Sequence, residues 1–269
     1  MIDLTGKVAI VTGGASGIGT GICHVLANQG ASIVVCDINL DNAKSVALDI
    51  ASKEYQTLAI QTDVAQKDSV NNMVDHVINA FGQIDILVND AGVMGASDWQ
   101  EKQLKELSDS EKASTDEDWD ASMSINLMGV VYTSEAASVH MKKQRSGKII
   151  NVASTAARVG GAGPAVHYGV SKAAALYYTQ CSALQLAPFN INVNCICPGI
   201  VWTPMVAARG TKKAKSKGTT WTELVSSGTP MQRPQTPEDI GKLTAFLASD
   251  DASNITGQAI NIDGGSRLD

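Results

Sequence analysis

Proline is scarce in this sequence and aromatic residues are few, with 7 prolines and 4% aromatic residues among 269 positions. Glycine, by contrast, reaches 24 residues, more than the usual ~7%. Few prolines beside many glycines exclude a disordered Pro/Gly composition. No segment approaches the ~18 uninterrupted apolar residues of a membrane span, and the N-terminus lacks the basic and apolar pattern of a targeting segment. These absences predict a cytoplasmic protein without a membrane partner.

Cysteines are few as well, and their spacing argues against disulfides and metal sites. They are Cys23, Cys36, Cys181, Cys195 and Cys197, an odd number without a C-x-x-C pair or a histidine at ligand spacing. We interpret them as small buried residues in a reducing compartment and expect no metal site. Positive charge is also in deficit, because 21 Lys and Arg face 27 Asp and Glu, a net charge of −6. A nucleic-acid partner is therefore not expected.

Short β-branched runs alternate along the chain with longer stretches of helical spacing. This alternation is typical of βαβ units with parallel strands, and the near-continuous apolar strands indicate helices on both faces of the sheet. The runs that we assign as strands are 8–11, 32–36, 84–88, 148–152, 191–196 and 258–262, and the clearest later helices are 166–186 and 237–247. The pattern predicts one α/β domain over residues 1–269, a doubly wound open parallel sheet of the Rossmann type with about seven strands.

Two charged segments interrupt the alternation. Residues 95–120 form an acidic insertion, and residues 201–228 read as a mobile basic loop in which Lys212, Lys213, Lys215 and Lys217 follow Arg209. Both segments leave the carboxyl edge of the sheet, where open α/β sheets bind ligands, so they are candidates for a lid over the substrate. The alternative is that each is only a solvated face.

A glycine-rich turn, Thr12-Gly-Gly-Ala-Ser-Gly-Ile-Gly19, joins the first strand to the first helix. Gly13 permits the tight turn, Gly17 lets the backbone approach a pyrophosphate, and Gly19 allows the helix to pack closely on the strand. The anion would then meet the N–H groups at the positive end of the helix. Because a strand precedes the turn and an amphipathic helix follows it, dinucleotide binding is favoured over a plain tight turn.

Asp37 ends the second strand, where a carboxylate can accept hydrogen bonds from the adenosine ribose hydroxyls. A 2′-phosphate at this place would be repelled, and no Lys or Arg occurs between Thr12 and Asp37 to compensate it. The sequence therefore predicts NAD rather than NADP. The alternative role for Asp37 is a helix N-cap.

Ser154, Tyr168 and Lys172 form the candidate catalytic group. Tyr168 and Lys172 are four residues apart at the start of a helix, so both lie on one face. An ammonium beside a phenol favours phenolate, which predicts a lowered Tyr168 pKa and a general acid or base. Ser154 follows a strand at the ligand edge, where its hydroxyl can hold a substrate oxygen.

With these residues the chain resembles the short-chain dehydrogenase/reductase family, in its shorter subtype, over nearly all of its length. The segments that carry the resemblance are Thr12 to Gly19, Asp63-Val64, Asn89-Asp90-Ala91-Gly92, Asn126 in Asn-Leu-Met-Gly, Ser154, Tyr168-Gly-Val-Ser-Lys172, Pro198-Gly199 and Asp263-Gly264-Gly265. The resemblance implies a dinucleotide-dependent oxidoreductase and a homotetramer.

Residue roles follow from the same resemblance. It implies that Tyr168 is the acid/base, that Ser154 orients the substrate oxygen and that Lys172 binds the nicotinamide ribose. Asn126 would hold a water of a proton relay, although a buried structural asparagine is a fair alternative. The implied cofactor-binding residues are Gly13, Ser16, Gly17, Ile18, Gly19, Asp37, Ile38, Asp63, Val64, Asn89, Ala91, Gly92, Tyr168, Lys172, Pro198, Gly199, Val201 and Thr203.

The sequence departs from the family pattern at a few positions. Asp90 replaces the usual second asparagine, which we expect to perturb a structural hydrogen bond more than the chemistry. Ser154 lies one residue farther from Tyr168 than is usual, and Thr155 sits at the usual distance. We prefer Ser154 because it keeps its offset from Asn151. His167 is not expected to join the relay, because adjacent side chains diverge on a helix.

The function predicted from these residues and the resemblance is NAD-dependent interconversion of a secondary alcohol and its ketone. The alcohol is expected to be a small diol, a polyol or a cyclic alcohol. The alternatives are an NADPH-linked 3-ketoacyl reductase, a catalytically silent dinucleotide-binding regulator and a sugar-nucleotide epimerase.

Overall fold

One sheet of seven parallel strands runs through the residues that the computed structural model describes, which are 2–52, 55–96, 114–160 and 165–268. The strands are β1 Val8–Thr12, β2 Ser32–Asp37, β3 Thr57–Gln61, β4 Ile86–Asn89, β5 Gly147–Val152, β6 Ile191–Pro198 and β7 Ala259–Ile262. Their order across the sheet is β3-β2-β1-β4-β5-β6-β7. The strand order therefore reverses at β1, with β2 and β3 on one side of it and β4 to β7 on the other. This reversal opens a crevice at the carboxyl ends of β1 and β4.

Helices connect the strands and cover both faces of the sheet. In the described residues they are α1 Gly17–Asn28, α2 Leu40–Ala51, α3 Lys67–Phe81, α4 Asp116–Met123, α5 Gly129–Gln144, α6 Val166–Leu186, α7 Pro204–Ser216, α8 Trp221–Ser227 and α9 Pro237–Ala248. A π-helical turn, Ser124–Met128, joins α4 to α5. Each of the six strand pairs is parallel, as doubly wound folds require.

The alternation of side chains along β1 produces two apolar layers. Val11 packs into a layer with Ile22 of α1 and Ile240 of α9, whereas Ile10 packs into the opposite layer with Met73 of α3. An apolar layer covers each face of the sheet, so the central strands are continuous apolar runs in the sequence. The predicted fold class is confirmed.

Residues 201–228 differ from the predicted mobile loop, because α7 and α8 account for most of them. Pro204 begins α7, and Thr220 with Glu223 forms a capping box at the start of α8. The rings of Trp202 and Trp221 lie 4.8 Å apart, which packs α8 against the beginning of α7. The prediction of a loop was wrong because these caps and the Trp pair were given less weight than the basic charge.

The acidic insertion is described only at its ends. Residues 97–113, including Trp99, lie outside the described residues, so the predicted lid is not tested there. From 116 onward the acidic residues belong to α4, where Thr115 and Asp118 form a capping box. Within the described ranges, no helix is both long and apolar enough to cross a membrane.

Candidate active site

A cleft lies along the carboxyl ends of β1, β2, β4 and β5, at the reversal in strand order. Of the residues predicted to bind a cofactor, those that line it are Gly13, Ser16, Gly17, Ile18, Asp37, Ile38, Asp63, Val64, Ala91, Gly92, Tyr168, Lys172 and Thr203. These residues come from six separated segments of the chain. The fold therefore brings the glycine turn and the Tyr168–Lys172 pair into one cleft.

The glycine turn is shaped by close approaches that a side chain would block. Gly13 has a positive φ of 67°, and a Cβ on it would stand 2.8 Å from the Ala91 Cα. Gly17 has a φ of 55°, and its missing Cβ leaves room for the Thr203 methyl group. A Cβ on Gly19 would overlap the Gly13 carbonyl. The turn thus leaves backbone N–H groups at the start of α1 open to the cleft, which suits a pyrophosphate.

Thr12 ties the glycine turn to the segment after β4. Its Oγ1 accepts hydrogen bonds from the backbone N–H groups of Asp90 at 3.2 Å and Ala91 at 3.3 Å. Both walls of the cleft are therefore held by one buried hydroxyl.

The Asp37 carboxylate is fixed at the end of β2. Oδ2 accepts a hydrogen bond from Ala15 N at 3.2 Å, and Oδ1 accepts one from Asn39 N at 3.0 Å. The N-cap of α2 is Asn39, whose side chain accepts from Asn42 N. Asp37 is therefore not the N-cap, and it stands at the cleft wall beside Ile38.

Tyr168 lines the cleft, and the Ser154 hydroxyl stands close enough to influence the pKa of its phenol. Ser154 Oγ accepts from Ala156 N at 3.1 Å, which fixes the hydroxyl at the end of β5. Burial raises the pKa of Tyr168, the nearby Ser154 hydroxyl lowers it, and the Asp90 carboxylate raises it. The lowered Tyr168 pKa that the sequence predicts is therefore wrong for this structure, because burial of the phenol outweighs the neighbouring ammonium.

Lys172 is buried one helical turn after Tyr168. Its Nζ donates a hydrogen bond to the Val152 carbonyl at 2.8 Å and lies 5.9 Å from the centroid of the Tyr168 ring. Burial lowers the pKa of Lys172, and the Asp90 carboxylate raises it. The ammonium is thus hydrogen-bonded to the end of β5 and favoured in its charged form by the Asp90 carboxylate.

Asn126 lies in the π-helical turn and braces the segment after β4. Its Oδ1 accepts from Val93 N at 2.8 Å, and its Nδ2 donates to the Val93 carbonyl and to Ser171 Oγ, both at 2.9 Å. A Cβ on Gly92 would stand 3.1 Å from both Asn126 Oδ1 and Lys172 Nζ. The absence of that Cβ leaves a gap between the two polar atoms. These contacts show a structural role for Asn126. That Asn126 also holds a water of a proton relay is a proposal.

Five residues implied to bind the cofactor do not line the cleft in the described ranges, namely Gly19, Asn89, Pro198, Gly199 and Val201. Asn89 instead donates from Nδ2 to Asn151 Oδ1 at 2.8 Å and accepts from Thr133 Oγ1 at 2.7 Å. Its side chain therefore joins β4 to β5 and α5. Val201 is buried and pairs with Gln235 in an isolated bridge.

His167 points away from the reacting groups, as expected for a neighbour of Tyr168 on a helix. Its Nδ1 lies 2.8 Å from Ser122 Oγ, and its ring meets Trp119 edge-on.

Several residues that the sequence reasoning did not assign also line the cleft. They are Thr62, Asp90, Val93, Ile125, Val152 and Ala153, and Pro204 and Met205 of the segment predicted to lie over the substrate line it as well. Each of these eight residues stands next to an assigned residue or within two positions of one, so closeness to the assigned residues is the signal that could have found them. Asp90 was noticed only as a departure in sequence.

This arrangement can bind an extended anionic dinucleotide and move a proton beside it. The glycine turn supplies N–H donors and Asp37 supplies acceptors for hydroxyl groups. Tyr168 and the buried Lys172 line another part of the cleft, with Ser154 close to Tyr168. No cluster of three or more His, Cys, Asp or Glu suited to a metal ion occurs in the described part of the chain.

Comparison with known proteins gives matches along the whole chain. A family model described as enoyl-(acyl carrier protein) reductase matches residues 13–267. The 3-oxoacyl-(acyl-carrier-protein) reductase FabG of Thermotoga maritima is 36% identical, over 97% of this chain and 98% of the relative. Cyclohexanol dehydrogenase of Rhodococcus is 34% identical, over 98% and 97%.

Solved structures superpose over the same length. Levodione reductase matches with a TM-score of 0.86 and 29% identity, covering 97% of each chain. A 7α-hydroxysteroid dehydrogenase in complex with NADH and 7-oxo glycochenodeoxycholic acid matches with a TM-score of 0.84 and 30% identity, covering 100% of this chain and 98% of the other.

Proposed function

Because the chain belongs to the short-chain dehydrogenase/reductase family, we propose that it is an NAD-dependent oxidoreductase that interconverts a secondary alcohol and its ketone. The observation that carries this proposal is the placement of Tyr168 and the buried Lys172 in one cleft, with the Ser154 hydroxyl close to the phenol. A protein that only bound a dinucleotide would not need a phenol, a hydroxyl and an ammonium assembled at the end of its cleft.

The proposed roles follow from the positions of these groups. The coenzyme supplies the hydride acceptor for oxidation and the hydride donor for reduction. Ser154 Oγ donates a hydrogen bond to the substrate oxygen, and Tyr168 Oη takes the alcohol proton in oxidation and returns it in reduction. Lys172 stabilises the phenolate that forms on Tyr168, which opposes the effect of burial on the phenol. Asn126 keeps Val93 and the adjoining cleft wall in place.

The preference for NAD rests on Asp37. Its carboxylate stands at the cleft wall, held by two backbone N–H groups, and Lys172 is the one Lys or Arg among the described residues that line this cleft. A phosphate on the adenosine ribose would place like charges together without a basic partner.

Asp37→Asn is expected to lower the ratio of kcat/KM with NAD to kcat/KM with NADP by at least ~10-fold. The substitution removes the repulsive charge and keeps the shape of the side chain. Steady-state kinetics with both coenzymes measure the effect. Asp41→Asn, at an exposed position in the first turn of α2, is the matched control and should leave the ratio unchanged. Equal kcat/KM for the two coenzymes in the native protein would contradict the NAD assignment.

For the substrate, we propose a ring alcohol or ketone as the first class to test, within the wider group of secondary alcohols. Relatives named for cyclohexanol, levodione and a hydroxysteroid support this choice. Reduction of a 3-ketoacyl thioester is the second candidate, since the relative from Thermotoga maritima carries that name. A screen by NADH absorbance across cyclic alcohols, diols, polyols, hydroxysteroids and hydroxyacyl thioesters tests both. Turnover of the thioesters alone, with NADPH, would replace the first candidate by the second.

A homotetramer is part of the proposal, as the family resemblance implies. Large apolar side chains are exposed on the outer face of α6, among them Tyr177 and Leu184, and such surfaces mark interfaces. Light scattering is expected to give four times the chain mass of 28.1 kDa. A particle of one chain mass would contradict this assignment.

A further inference from the structure

Asp90 places a carboxyl group where the glycine turn meets the catalytic pair. It directly follows β4 and lines the cleft, and its backbone N–H is held by Thr12. Its Oδ2 lies 2.9 Å from the point where a Cβ on Gly19 would stand, so the carboxyl group is close to the backbone of Gly19. The side chain therefore rests against the first turn of α1, the part of the cleft suited to a pyrophosphate.

Charged and titratable groups face this carboxyl from each element around it. They are Lys172 and Tyr168 on α6, Asp37 at the end of β2, and the Cys23 thiol on α1. Burial raises the pKa of Asp90 to about 7, while Lys172 and the Gly19 N–H lower it and Asp37 raises it. At neutral pH the group is therefore divided between its charged and neutral forms.

We propose that Asp90 makes dinucleotide binding proton-linked: its carboxyl group takes up a proton when the anionic pyrophosphate binds at the first turn of α1. This inference rests on the proposed dinucleotide-binding function. The negative charges of the pyrophosphate oppose a second negative charge at the same helix end, so the neutral form of Asp90 is favoured in the complex. Protonated Asp90 then resembles the asparagine that the family usually has at this position.

The sign of the pH effect follows from linkage. The complex holds more protons than the free protein, so binding consumes protons and affinity falls as pH rises above 7. The dissociation constant is expected to rise by up to about tenfold per pH unit in this range. At pH 7 the uptake is expected to approach about half a proton per dinucleotide, since the free group is then about half protonated.

Binding of NADH to the full chain, measured by calorimetry from pH 6 to 8.5, tests this inference without turnover. Titrations at pH 7 in two buffers of different ionisation enthalpy give the number of protons taken up. The native protein should show proton uptake and weaker binding at high pH. Asp90→Asn, which has nearly the same shape, should take up no proton and bind NADH with the same affinity across this range.

Two further variants test whether a titratable group other than Asp90 takes up the proton. The neighbouring free thiol of Cys195 lowers the pKa of Cys197 to about 7, against the opposing effect of burial. Cys197→Ser therefore removes a second group that titrates in this range. Asp41→Asn removes an exposed carboxylate outside the cleft. Both should keep the proton uptake of the native protein.

The outcomes distinguish the inference from the proposed function. Tight NADH binding without proton uptake in the native protein would overturn the role of Asp90 and leave the proposed function standing. The same proton uptake in Asp90→Asn as in the native protein would also overturn it. If NADH does not bind at any pH, the proposed function fails, and the inference fails with it.

Discussion

Tyr168→Phe is expected to lower kcat by ~10²- to 10⁴-fold while NADH binding stays near its native strength. General acid–base catalysis typically contributes a factor of this size, and the variant removes only the hydroxyl that exchanges the proton. The aromatic ring keeps its packing on α6, so the loss should fall on kcat rather than on the dissociation constant of NADH. Steady-state kinetics and NADH fluorescence measure the two quantities separately.

Tyr177→Phe is the matched control, because Tyr177 lies on the same helix with its side chain exposed. It loses the same atom without touching the cleft and should retain native turnover. Native rates from Tyr168→Phe on any good substrate would show that another group moves the proton. Since His167 is turned toward Ser122 and Trp119, the next group to test would be Ser154.

The fold could be predicted from periodicity because both faces of the sheet are covered. Buried parallel strands such as β1 and β6 leave continuous apolar runs that end in glycine or polar residues, and those ends locate the ligand edge. Strand β3 gave a weaker signal, since Thr57–Gln61 is a half-exposed edge strand with polar residues at both ends. Segment 201–228 was mistaken for a loop because its basic charge is a stronger signal in the sequence than the helix starts at Pro204 and Thr220.

The candidate site was predictable where a motif fixes a backbone shape and less so where several segments meet. The positive φ angles of Gly13 and Gly17 are local properties that glycine signals directly. The direction of the Tyr168 pKa shift depends on enclosure by other segments of the chain, including Ser154 after β5 and Asp90 after β4. Sequence spacing gives the distance along α6 from Tyr168 to Lys172 but not the burial that opposes ionisation.

The role of Asp90 in the cleft is also not predictable from its position in the sequence. As a sequence departure it suggested a local hydrogen-bond change. The structure instead places its charge between the first turn of α1 and Lys172. A single carboxyl group there connects the dinucleotide part of the cleft to the catalytic part, because it influences the pKa of both Lys172 and Tyr168.

Lys172→Met is expected to lower kcat by ~10²- to 10³-fold and to weaken NADH binding as well. Loss of one preorganised charged donor typically costs a factor of this size. Methionine fills a volume similar to that of the lysine stem, so packing on α6 is largely kept. Removing the cation also removes its stabilisation of phenolate, so the kinetic pKa on the acid side of alcohol oxidation should move upward. Rates from pH 6 to 10 and NADH titrations measure these effects.

Lys148→Met is the control for loss of a partly buried ammonium. Lys148 lies near the start of β5, at the edge of the sheet opposite the cleft, and its Nζ donates to Asn192 Oδ1 at 2.8 Å. This variant should lose some stability and keep the native pH profile.

In Lys172→Met, by contrast, Asp90 loses the cation that favours its charged form. The pKa of Asp90 should therefore rise, and proton uptake on NADH binding at pH 7 should shrink. An unchanged kinetic pKa together with unchanged proton uptake would show that the ammonium only fills space beside Val152.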